Sequence, residues 1–229
     1  MEDVFRLRFQ VYCEEKMFLP REAYPHGLEI DEFDDQATHI AVYGDDHLPK
    51  GYLRVVVARD HSELPLFAHG MTVGAEFPLP APGGAVEISR MMVRSDYRKR
   101  LRAPDDGFPQ MGLLADPPAR SASDLIQLKL IRLAYRHALA SDVRWFLSAI
   151  EPAQGRKLSM MGFPIRPIGP VGDYFGNVRP HAVDLREMET KLRENCPEVW
   201  AFFCDPAEDV HTRVIRPGEW KMPASLLAA

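Results

Sequence analysis

Residues 123–168 read SDLIQLKLIRLAYRHALASDVRWFLSAIEPAQGRKLSMMGFPIRPI, and this stretch decides the fold class. Leu125, Leu128, Ile131, Tyr135 and Leu139 recur at helical spacing behind Ser123, a residue type that caps helix N-termini, which predicts a helix over 123–141. Val143–Ile150 is a short apolar run and predicts a buried strand. Ala153–Met161 predicts a short helix closed by Gly162, and Phe163–Ile168 a further strand. Helix, strand, helix and strand in succession require a sheet with helices on its faces.

Upstream, Phe5, Arg8, Phe9 and Tyr12 predict an amphipathic helix over 3–16, and the Pro20 and Tyr24–Gly27 region an irregular loop. Strands are expected at 39–43 and 51–58, split by a polar turn, and at 86–93 after the connection carrying Pro78, Pro80, Pro82, Gly83 and Gly84. Residues 101–121, with Pro104, Pro109, Pro117 and Pro118, read as a flexible insertion. Val178–Leu185 is expected as the last strand, followed by two helical pieces. The expected architecture is α/β, with a mixed and mostly antiparallel sheet flanked by helices. It divides into a domain at 1–185 and a helical extension at 186–229. The first helix begins almost at Met1 and leaves no room for a strand before it, so either that strand is absent or the start shown is not the natural one.

At 229 residues and 46% hydrophobic the chain is long enough for a substantial core. A net charge of -5 argues against general nucleic-acid binding, and no apolar run reaches the length of a membrane span. Cys13, Cys196 and Cys204 form no metal-binding pattern and are expected as reduced thiols of a cytoplasmic protein. The histidines show no metal-ligand spacing either.

Four segments carry candidate chemistry: Arg8–Tyr12 with Phe18 beyond it, the acidic cluster Glu29–Asp35, Arg54 inside an apolar run, and Glu87-Ile88-Ser89-Arg90. A buried guanidinium needs anionic partners. The expected arrangement sets Arg8 and Arg54 against Asp31, Asp34 and Glu87 in a cleft. Strand alternation places Glu87 and Ser89 on one face and Arg90 on the other. Taken singly, each segment reads more readily as a solvated acidic loop or an edge salt bridge.

Taken together, Arg8…Tyr12…Phe18, Glu29-x-Asp31-x-x-Asp34, Gly51-x-x-Arg54 and Glu87-x-Ser89-Arg90 resemble the LuxI-type autoinducer-synthase superfamily. Within it, the wording RFQVYCEEKMFLP, YPHGLEIDEFD and EISR is most similar to the acyltransferases of PEP-CTERM/exosortase systems, relatives of N-acyl amino acid synthases. The resemblance spans roughly residues 3–185 and implies an acetyltransferase-like (GNAT) fold with an acyl carrier protein thioester as donor. It implies Glu87 as candidate base, with Ser89 and Arg90 beside it in the catalytic set. Arg8, Tyr12, Phe18, Asp31, Asp34, Arg54, Met92 and Val93 are then implied to form the acceptor and substrate site. Phe18 in place of a tryptophan, and the continuation Arg54-Val55-Val56-Val57, count against lactone signal synthesis.

No bound cofactor is expected beyond the donor's acyl-phosphopantetheine arm, with acyl-CoA as the other possible donor. A Coenzyme A enzyme normally follows the site strand with a glycine-rich turn, whereas Arg94–Arg102 here is basic and lacks glycines. Arg94, Arg98, Lys99, Arg100 and Arg102 are therefore read as a docking surface for the acidic carrier, or else as a solvated basic loop. Lys129, Arg132 and Arg136 would extend that patch. Met91, Met92, Met111, Met160, Met161, Phe108 and Phe163 read either as core or as a plastic acyl channel. The expected reaction is transfer of a long acyl chain to a small-molecule amine, an amino acid first, with Arg90 or Arg54 forking onto the acceptor carboxylate. The alternatives are an acyl-homoserine-lactone synthase, a Coenzyme A-dependent N-acyltransferase, and a non-enzymatic carrier- or lipid-binding module.

Overall fold

The computed structural model describes residues 1–81, 83–98, 121–206 and 209–221. Nearly all of the expected insertion therefore lies outside the described residues. In chain order the elements are α1 (Glu2–Phe9), a π-helical turn (Gln10–Glu15), β1 (Ala37–Tyr43), β2 (Pro49–Val56), α2 (Pro65–Ala68), β3 (Ala85–Val93) and α3 (Ser95–Arg98). Then come α4 (Ala122–Ala140), β4 (Trp145–Ile150), α5 (Pro152–Met160), β5 (Arg166–Pro167), β6 (Gly172–Asp173), β7 (Asn177–Asp184), α6 (Leu185–Asn195), α7 (Pro197–Cys204) and β8 (Thr212–Ile215). This is the expected mixed α/β fold, with eight mostly antiparallel strands flanked by helices.

The chain divides into two compact units, and β3 contributes to both. The first comprises residues 1–55, 90–134 and 209–229. Its strands follow the order β8-β1-β2-β3, with β8 antiparallel to β1 in the register His39 to Ile215. Val4, Leu7 and Val11 pack on Ala41, Tyr52 and Met92 as its core. Gly51 lets α4 approach β2, because a Cβ there would stand 2.3 Å from Ile126 Cγ2. The helix expected over 3–16 is found in two parts. It is α-helical to Phe9, then widens so that the Lys16 N–H donates to the Val11 carbonyl. The segment beyond residue 185 is not wholly helical, since it returns as β8 to cover the edge of β1.

The second unit comprises residues 56–89 and 135–208. Its strands follow β3-β4-β7-β5, with β6 on β7; β3 and β4 run parallel, while β4 and β7 run antiparallel. Gly162 ends α5 in the left-handed region, the expected closing glycine. The strand expected over 163–168 shrinks to Arg166–Pro167. α6 buries Leu185, Met188 and Leu192 and leaves its charged face outward.

Candidate active site

Three arginines and three carboxylates meet inside the first unit. Arg8 comes from α1, Arg54 from β2 and Arg90 from β3, while Glu29, Asp31 and Asp34 come from the loop ahead of β1. Arg8 Nε donates to Glu29 Oε2 at 2.5 Å, and its Nη1 donates to Asp34 Oδ1 at 2.6 Å. Arg54 Nη1 donates to Asp31 Oδ1 at 2.5 Å and Asp34 Oδ1 at 2.8 Å. Arg90 Nη2 donates to Glu29 Oε1 and to Asp31 Oδ2, both at 3.0 Å. The charges balance three against three, which is what allows Arg8, Arg54, Glu29 and Asp34 to be fully buried.

The acidic loop folds this way because its own backbone is tied to the same carboxylates. The Asp31 N–H donates to Asp34 Oδ2 and the Phe33 N–H to Asp31 Oδ1, while the Glu29 N–H donates to the Phe5 carbonyl. Aromatic faces fill the remaining sides. Arg8 lies over Phe5 and Tyr52, Arg54 over Phe33, and Arg90 over Tyr12 at 5.0 Å. Tyr12 in turn packs against Phe18, their rings 6.1 Å apart.

The titrations follow the geometry. Burial by itself would raise the Glu29 carboxyl, but Arg8 and Arg90 outweigh it and hold it at about 2. Asp34 is likewise held at about 2, where burial is opposed by Arg8 and Arg54. Asp31 is lowered too, burial being overcome chiefly by Arg54. All three are anions at neutral pH with their lone pairs engaged by guanidinium groups. None is suited to take a proton from a substrate. Burial pushes the Cys13 thiol up to about 11, so it is no nucleophile.

Of the five residues expected to meet, the structure brings Arg8, Asp31, Asp34 and Arg54 together and adds Glu29 and Arg90, while the fifth, Glu87, accepts the Leu66 N–H. The expected use of Arg54 or Arg90 to fork onto an acceptor carboxylate is corrected. Arg54 has no exposed surface and both are spent on internal carboxylates. Arg90 also departs from the expected alternation: its φ is +55°, left-handed backbone inside a strand. Such a residue breaks the period of two, so the faces before and after it do not follow from counting. Backbone of this kind costs on the order of 1–3 kcal/mol, and here the fork onto Glu29 and Asp31 holds it in place.

Glu87 and Ser89 precede Arg90 on β3, in the part of the strand that belongs to the second unit. Glu87 is buried, and its Oε2 accepts the Leu66 N–H of α2 at 2.8 Å. Ser89 is half-buried. Met92 and Val93 are buried, Met92 within the core cluster against α1. Phe163 and Met161 are buried as well, Met160 is 87% exposed, and Met111 and Phe108 lie outside the described residues.

The two described residues of the basic patch are paired with carboxylates. Arg94 pairs with Asp46 at 2.7 Å and Asp96 at 2.9 Å, and Arg98 pairs with Glu15. Lys99, Arg100 and Arg102 lie outside the described residues. On α4, Lys129 and Arg132 are buried rather than displayed. Lys129 Nζ donates to the Val210 carbonyl at 2.9 Å and Arg132 stands 3.7 Å from Asp209, while Arg136 donates to the Asp205 carbonyl. They read as solvent-facing in the sequence because the segment that covers them lies some 70–80 positions further on. Among the described residues no group of His, Cys, Asp and Glu could hold a metal ion.

The mixed α/β fold matches that of GNAT-like acyltransferases. Residues 7–103 match the acetyltransferase (GNAT) domain model, a span that contains every member of the charge network together with Glu87 and Ser89. No curated protein matches the chain in sequence. Among solved structures it is similar to BjaI, a CoA-dependent acyl-homoserine lactone synthase crystallised with SAM and isopentyl-CoA. The TM-score is 0.60 at 19% identity, over 90% of this chain and 82% of that one. It is similar as well to TofI in a ternary complex with an inhibitor and MTA, with TM-score 0.59 and 15% identity over 84% and 86% of the two chains. The acyl-homoserine lactone synthase LasI superposes with TM-score 0.53 at 15% identity, over 80% and 82%. At these identities the likeness is one of fold.

Proposed function

We propose that the protein is an N-acyltransferase that moves a long acyl group from an acyl carrier protein thioester to a small-molecule amine. The observation that carries this reading is the buried, charge-balanced network inside the matched acyltransferase domain. It fixes the left-handed turn of β3 at Arg90, immediately after Glu87 and Ser89. Glu87 takes a proton from the acceptor ammonium, and the free amine attacks the thioester carbonyl. The N–C bond forms, the C–S bond breaks, and the carrier leaves as the thiol. Backbone N–H groups around Arg90–Met92 are the candidate donors to the oxyanion.

Asp31, 12% exposed, and Arg90, 7% exposed, are the most exposed members of the network and pair with each other, while Tyr12 lies against Arg90 with Phe18 packed on it. Amino acids remain the first acceptors to test, as suggested by the resemblance to N-acyl amino acid synthases.

Coenzyme A is the second reading for the donor. It is favoured by the internal pairing of Arg94 and Arg98, which leaves less charge for a carrier, and by BjaI, whose donor is a CoA thioester. Incubation with palmitoyl carrier protein or palmitoyl-CoA and a pool of amino acids, read by mass spectrometry, separates the two. An N-acyl product from the carrier alone supports the proposal, and one from CoA alone moves the donor. Absence of any product from either donor with any amine overturns the reaction.

A further inference from the structure

The sequence drew no attention to Trp220, yet it reaches the back of the charge network. It is delivered by β8, whose base is fastened by Lys129 Nζ to the Val210 carbonyl and by the Tyr43 N–H to the His211 carbonyl at 2.7 Å. After β8 a tight turn over Arg216–Trp220, closed by the Arg216 N–H on Glu219 Oε2 at 2.9 Å and by Gly218 at φ +85°, presents the indole inward. Its ring lies 4.9 Å from Phe5 and 6.2 Å from His39, and those two rings meet edge to face at 6.0 Å.

Both neighbours touch the network directly. Phe5 lies under the Arg8 guanidinium at 5.3 Å, and its carbonyl accepts the Glu29 N–H. His39 Nε2 lies 2.9 Å from the Asp34 carbonyl, so it donates there; its Nδ1 then accepts from the Tyr52 hydroxyl at 2.7 Å. The Tyr52 ring also lies against Arg8, at 5.9 Å. Removing the indole would therefore open a gap behind Phe5 and His39 and, through them, loosen Arg8 and Asp34. Simple core filling is a poorer account, because Trp220 is only partly buried and the rings it packs on are those that hold Arg8 and Asp34.

We propose that Trp220 is a positioning residue of the acyltransferase site, holding Arg8 and Asp34 through Phe5 and His39. The inference deepens the function proposed above, but its test is made on the resting protein without substrate, so either can fail alone. The experiment compares wild type with Trp220→Phe, Trp220→Leu and Trp220→Ala by NMR. It follows exchange of the Arg8 Nε–H and titration of the His39 ring, which Asp34, Arg8, Arg54 and Tyr52 face. In the Leu and Ala variants, exchange at Arg8 should accelerate roughly tenfold or more and His39 should titrate closer to an ordinary imidazole. The Phe variant should restore both, since a ring still backs Phe5 and His39. Unchanged Arg8 and His39 in a folded Leu or Ala variant would overturn the proposal even if that variant melts earlier. So would a Phe variant that behaves like Leu.

Discussion

Arg8 and Glu29 form a hydrogen-bonded ion pair at 2.5 Å in which neither side chain has any exposed surface. Glu29 also accepts from Arg90, and Arg8 also donates to Asp34, so the pair is the hinge of the whole network. Cutting it leaves charges with no route to water. Arg8→Ala leaves three buried carboxylates against two arginines, and should cost about 3–5 kcal/mol in chemical denaturation. Glu29→Gln should cost a comparable amount by leaving Arg8 and Arg90 short of an anion. A loss below about 1 kcal/mol for both, the scale of surface pairs, would show that the network is not closed to solvent.

The pH dependence of stability follows from the same groups. Glu29 and Asp34 are held at about 2 in the folded chain, against 4.5 and 3.8 for ordinary carboxyls. Their contribution is fully present above about pH 4.5 and is lost as pH falls toward 2. His39 adds an earlier limb. Burial lowers its pKa from 6.5, so the unfolded chain takes up a proton first and stability falls as pH drops below 6.5. Urea midpoints across pH 3–8 should therefore fall in two stages. His39→Gln should flatten the upper stage selectively; an unchanged upper stage would assign it to another group, with His181, also lowered by burial, the next to examine.

Much of this was legible in the sequence, and the failures have a common cause. Order and type of the main elements follow from local periodicity, which is why 123–141 and 143–150 are found within two residues of their expected ends. The acidic cluster and Arg54 stood out because charge in an apolar setting demands a partner. Glu29 reads in sequence only as the start of that cluster, since nothing local tells which carboxylate reaches two arginines 21 and 61 positions away. Arg90's left-handed backbone, the burial of Lys129 and Arg132, and the place of Trp220 all depend on chain that arrives from far along the sequence. Local pattern carries no record of such contacts.

Glu87 poses a sharper question, because a backbone bond from Leu66 could make it an anchor as well as a base. The two roles separate chemically. Glu87→Gln keeps an oxygen that can accept the Leu66 N–H but cannot take a proton. It should leave the melting temperature nearly unchanged while turnover falls by about 10²–10⁴-fold. Glu87→Ala removes both functions, and should in addition loosen Asp60–Gly70 to limited proteolysis. A Gln variant with full turnover sinks the base assignment and leaves the anchor.

Gly51 gives the last test, of why a glycine stands three residues before Arg54. Its backbone does not need left-handed freedom; the constraint is the approach of α4. A Cβ at 51 would lie 2.3 Å from Ile126 Cγ2, 3.2 Å from Leu130 Cδ1 and 3.4 Å from the Met92 carbonyl. Gly51→Ala should then cost about 1–3 kcal/mol by overpacking. Ile126→Ala alone should cost about 2–5 kcal/mol by leaving a cavity. In the double variant the new methyl enters the space that Ile126 vacates, so the combined loss should be smaller than the sum by more than about 0.5 kcal/mol. Strict additivity in the urea midpoints would mean that the collision with Ile126 is not what excludes a side chain at 51. The Met92 carbonyl, which cannot move without disturbing β3, would then be the obstacle.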